Sequence, residues 1–91
     1  MKIAPEQMRS VVDALKEFGA RRVIIFGSYL ESPENAHDID IGVEGIPPRR
    51  LGAAELAVYR LLRLPFDLVS REETPQFFSM IEGNANTLYE S

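Results

Sequence analysis

The chain has 91 residues, 14 Asp and Glu against 10 Lys and Arg, a net charge of −4 and 45% hydrophobic residues, which is the make-up of one small globular domain covering residues 1–91. It has no Cys and a single His, so disulfides, thiolate metal sites and the usual His-rich zinc sites are excluded. The acidic balance argues against direct nucleic-acid binding, and the lack of any leader-like or membrane-length apolar run makes a cytoplasmic protein without membrane association the expectation.

Pro5 suits the first turn of a helix whose apolar stripe is Met8, Val11, Val12, Leu15 and Phe18. Gly19 supplies a left-handed stop. Val23–Phe26 is a short apolar, β-branched run that reads as a buried strand. Ser28 is placed to cap a short helix through Leu30, before the break at Ser32-Pro33. From Asp38 to Val43 the pattern alternates, with Ile39, Ile41 and Val43 on one face and Asp38, Asp40 and Gly42 on the other. A long helix is expected from Pro48 to Arg63, with Leu51, Ala54, Ala57, Val58, Leu61 and Leu62 as its stripe and Pro65 as its end. Phe66–Ser70 reads as a third strand. Thr74 caps, Pro75 starts and Gly83 ends a helix containing Phe77, Phe78, Met80 and Ile81. Thr87–Glu90 adds a short edge strand. The expected class is α/β, helices covering one small sheet.

The stretch FGSYLESPENAHDIDIGV holds the candidate chemistry. Aspartate is depleted in strands, yet Asp38, Asp40 and Asp67 all fall in or beside strand-like segments. Residues i and i+2 of a strand lie about 6.5–7 Å apart on one face. Catalytic metal pairs lie about 3.5–4 Å apart, so such carboxylates are spaced to share them. If the third strand lies beside the second, Asp67 closes the cluster. Oxygen-only ligands select Mg²⁺ or Mn²⁺, and a cation also accounts for three carboxylates tolerating one another. Gly27-Ser28 sits at a strand end, where main-chain N–H groups can hold a phosphate. Each feature alone is ordinary: a solvated strand face, a turn, an exposed loop histidine at His37.

Together, Gly27-Ser28, Asp38-x-Asp40 and the later Asp67 in FDLV resemble the DNA polymerase β-type nucleotidyltransferase superfamily. More narrowly, the chain is similar to the minimal nucleotidyltransferases, small proteins encoded beside a HEPN-domain partner. The resemblance runs from the opening helix through VIIFGS, HDIDIGV and FDLV to the closing LYE. It implies a nucleotidyltransferase (polymerase β-like) fold, a small mixed sheet flanked by helices. Gly27 and Ser28 would then bind the nucleotide's phosphates. Asp38, Asp40 and Asp67 would be metal ligands, and Asp67 would also help deprotonate the acceptor hydroxyl. The implied activity is Mg²⁺-dependent transfer of AMP from ATP to a hydroxyl, a tyrosine of a HEPN-type toxin, so that the chain acts as antitoxin within a hetero-oligomer.

The family often carries an arginine soon after Gly-Ser; here no Lys or Arg occurs between Gly27 and Pro48. Arg49 or Arg50 is the nearest substitute, although a solvated face is the commoner use of such residues. The alternative reading is a non-catalytic nucleotide-binding antitoxin that neutralises its partner by occlusion. Transfer to a small molecule such as an aminoglycoside fits less well, because a chain this short leaves little room for an acceptor pocket. The acceptor is therefore expected on another protein. Phe77, Phe78 and Tyr89 are apolar contact candidates for it, with core packing as their ordinary role.

Overall fold

The computed structural model describes residues 3–91. Its elements are α1 (Pro5–Glu17), β1 (Arg22–Phe26), α2 (Ser28–Glu31), β2 (Ile39–Glu44), a 3₁₀ turn (Pro48–Arg50), α3 (Leu51–Leu62), β3 (Phe66–Ser70), α4 (Pro75–Glu82) and β4 (Asn86–Glu90). The four strands form one mixed sheet in the order β3-β2-β1-β4. β1 is antiparallel to both neighbours, whereas β2 and β3 are parallel. The parallel pair requires a crossover, and α3 provides it.

Alternation along the strands sends the sheet's two faces to different partners. Val23 and Ile25 of β1 and Ile39, Ile41 and Val43 of β2 pack with Val11 and Leu15 of α1 and with Leu51, Ala54, Val58 and Leu62 of α3. Ile24 and Gly42 face the opposite side, where α4 lays the fully buried Phe78 against them. Gly42 makes that contact possible. A Cβ there would lie 2.7 Å from Ile24 Cγ1 and 3.0 Å from Phe78 Cε2. Burying the phenylalanine ring contributes roughly 1.5–3 kcal/mol.

Several expected ends shift. Gly27, not Ser28, is the N-cap of α2, and Ser28 opens the helix. Thr74 precedes α4 without a side-chain cap bond; its hydroxyl instead donates to Ser70 O at 2.9 Å. Leu61, assigned to the buried stripe of α3, is 38% exposed, because Ala54, Val58 and Leu62 already fill the line facing the sheet. Gly83 ends α4 in a right-handed conformation (φ −65°), whereas Gly19 takes the left-handed stop after α1 (φ 113°). Among the described residues, no helix is long and apolar enough to cross a membrane.

Candidate metal and phosphate site

β2 and β3 bring the acidic residues together by register. Asp40 pairs with Phe26 on one side and with Asp67 on the other. Asp40 alternates with the buried Ile39 and Ile41, so its side chain must leave the sheet on the face that α4 covers only in part. Asp38 lies two residues earlier, just before β2, and Asp67 alternates with Phe66 and Leu68 of β3. One carboxylate oxygen from each of Asp38, Asp40 and Asp67 lies within 4.8 Å of the others. Asp38 and Asp40 are half-buried and Asp67 is exposed, so the cluster opens to solvent on the β3 side.

Gly27 closes the opposite side. Its backbone has φ 78° and ψ −157°, a conformation that strains any residue with a side chain. The space is also taken: a Cβ at position 27 would collide with Asp40 Oδ2 and lie 3.2 Å from Asp40 Cγ. The turn thus lies directly against the carboxylate. The amides of Ser28 and Tyr29 open α2 at this turn, while that of Leu30 donates to Gly27 O at 3.1 Å. α2 is held in place by Tyr29 and Leu30, which pack on the core, and by the Ile3 amide, which donates to the Tyr29 hydroxyl at 3.0 Å.

The electrostatics are those of crowded anions. The Asp40 carboxyl is pushed above the usual carboxylate range, first by burial, then by the charges of Asp38 and Asp67, and by a side-chain hydrogen bond with Asp67. None of the ion pairs among the described residues includes these aspartates. Arg21 and Arg71 pair with Glu44, and Arg22 pairs with Glu82 and Glu90, all at the other end of the strands. An all-oxygen, strongly anionic, partly open cluster without a cationic side chain is suited to a hard divalent cation.

The other residues singled out from the sequence fall elsewhere. Arg49 and Arg50 follow the far end of β2, and Arg50 donates to Phe18 O at 3.1 Å while stacking on the Phe18 ring. Both therefore lie away from the carboxylate cluster. His37 is exposed and outside the cluster. Phe78 is core, and Tyr89 lies half-buried under the Lys16 ammonium. Phe77 meets Phe26 edge-on, with ring centroids 6.2 Å apart, but stays 45% exposed. Sequence reasoning passed over Leu56 and Tyr59, which stand outside the buried stripe of α3 and flank the exposed side of Asp67. Their signal was present: two large apolar residues three apart on the helix face that the stripe leaves to solvent. Neither a scan of the chain against protein-family models nor a search of curated proteins finds a match.

Proposed function

We propose that the chain is a nucleotidyltransferase of the polymerase β-like fold that moves AMP from ATP to a hydroxyl group of a partner protein. The observation that carries this reading is the convergence of Asp38, Asp40 and Asp67 within 4.8 Å, against the Gly27 turn. A divalent cation, Mg²⁺ or Mn²⁺, would be held by these three carboxylates, and such an ion activates the attacking oxygen and neutralises the leaving pyrophosphate.

The chain's own residues supply the rest. The amides of Ser28 and Tyr29 and the exposed Ser28 hydroxyl orient the phosphates beside Asp40. Asp67, the most open of the three carboxylates, takes the proton of the acceptor hydroxyl. The acceptor oxygen bonds to the α-phosphorus, the bond from that phosphorus to the bridging oxygen breaks, and pyrophosphate departs. Catalysis rests mainly on position and charge. The partner fitting the resemblance is a HEPN-domain toxin, modified on a tyrosine and thereby silenced.

One observation favours a second reading, a nucleotide-binding antitoxin that acts by occlusion: no Lys or Arg lies between Gly27 and Pro48. Incubation of the purified pair with Mg²⁺ and ATP labelled on the α-phosphate separates the two. Label on the partner, lost with Asp40→Asn, supports transfer. An unlabelled but tightly bound and inhibited partner supports occlusion.

A further inference from the structure

β3 has a free edge. It lies outermost in the sheet and, among the described residues, pairs only with β2. Ile39 N–H donates to Pro65 O, and Arg71 N–H donates to Val43 O, so the odd-numbered main-chain groups of this segment face β2. Those of Phe66 and Leu68 therefore point outward. Beside that edge lie two adjoining cavities of about 460 and 380 Å³, with Tyr59 and Phe66 in the walls of both. α3 forms one wall with Leu56 and Tyr59, 49% and 56% exposed. Asp67 lines the first cavity and Arg63 the second. Arg63 takes part in none of the ion pairs among the described residues. An open edge beside large apolar side chains is a combination that proteins normally cover.

We infer that this groove receives an extended segment of a partner protein as an added strand on β3, and that the segment carries the acceptor hydroxyl. The role of the hydroxyl rests on the nucleotidyltransferase reading; the docking does not. Outward N–H and C=O groups of Phe66 and Leu68 supply main-chain hydrogen bonds. Side chains of the added strand alternate. Those on the α3 side meet Leu56, Tyr59 and Phe66, while the one opposite Asp67 points with it toward the carboxylate cluster. Directly opposed residues on neighbouring strands have Cβ atoms about 4.5–5.5 Å apart, which brings a hydroxyl to the Asp67 carboxylate. The occupant is thus a strand with apolar residues on both sides of one hydroxyl residue, and a carboxylate toward the Arg63 end to meet the unpaired guanidinium.

A random peptide display library panned on the protein in chelator, without nucleotide, tests the docking apart from the chemistry. Enriched peptides should share the apolar–hydroxyl–apolar pattern with an acidic flank. Their affinity should fall at least tenfold with Leu56→Glu or Tyr59→Glu, exposed positions where folding is spared, and stay unchanged with Phe77→Ala on the other exposed apolar patch. Enrichment without the apolar and acidic flanks, or affinity indifferent to Leu56 and Tyr59, overturns the docking; enrichment of the flanks without the hydroxyl overturns the hydroxyl's role. So does a sedimentation result in which the chain is a dimer that Tyr59→Glu dissociates, because the groove would then belong to a second copy. Patterned peptides that, once Mg²⁺ and ATP are supplied, receive no AMP on their hydroxyl overturn the enzyme reading and the hydroxyl's role while leaving the docking in place.

Discussion

Gly27 lies so close to Asp40 that a single methyl group at position 27 would collide with the carboxylate oxygen Oδ2. Two costs coincide there: a backbone at φ 78° and a contact that forces the Asp40 carboxylate to turn aside. Gly27→Ala should destabilise the protein by about 1–3 kcal/mol in urea denaturation and weaken divalent-cation binding. Gly52→Ala is the control. Nothing lies within 4 Å of a Cβ at that position in α3, so alanine there should stabilise by about 0.5–1 kcal/mol. Equal effects at the two positions would mean that the turn does not press on Asp40.

Asp40 makes stability depend on pH with a defined sign. Its carboxyl titrates above the usual range in the folded state, so the folded protein holds that proton to higher pH than the unfolded chain. The resulting stabilisation is complete below the ordinary carboxylate pKa and is lost as pH rises through the raised value. Asp40→Asn removes the loss. The metal-free variant should melt about 2–8 °C above the parent at pH 7, from roughly 0.5–1 kcal/mol for a partly exposed charge cluster. The gain should shrink toward pH 4. A variant that melts lower at neutral pH would make Asp40 a structural residue.

Phe78 and Gly42 hold α4 on the face that carries the carboxylates. Gly42→Ala overpacks that contact and should cost about 1–3 kcal/mol, whereas Phe78→Ala leaves a cavity and should cost about 3–5 kcal/mol. The double variant should cost less than the sum, because the new methyl enters space the ring has left. Simple additivity in thermal melts would separate the two residues.

The sequence was most legible where burial has a period. Ile39 and Ile41 are fully buried, so the intervening Asp40 had to face the other way, and Asp67 followed from the same alternation in Phe66–Ser70. The convergence of the three aspartates was less accessible. It depends on β2 and β3 being parallel neighbours in a register that pairs Asp40 with Asp67, a fact of tertiary structure. Gly27 read as a turn glycine that lets a phosphate approach the backbone, and no local pattern shows that Asp40 lies against it. Phe77 and Phe78 were likewise inseparable. Adjacent on one helix, they are sorted by Gly42, which leaves room on the sheet for one ring only. Leu61 was misplaced because an apolar residue near a stripe reads as part of it, although three other side chains already fill that line.

The central claim is that the three aspartates work as a cation site for a nucleotide. An ATP triphosphate approaching them meets repulsion of roughly 4 kcal/mol per unit charge pair at about 4 Å and an effective dielectric of 20. Main-chain amides at a helix start offset about 0.3–1 kcal/mol of that. Calorimetric titration of ATP into the protein, once with Mg²⁺ and once with chelator, is therefore the most direct test. Binding with Mg²⁺, none in chelator and none with Asp38→Asn or Asp40→Asn in either buffer is the result expected. Equal affinity in both buffers, unaffected by the two substitutions, would place the phosphates elsewhere and contradict the claim.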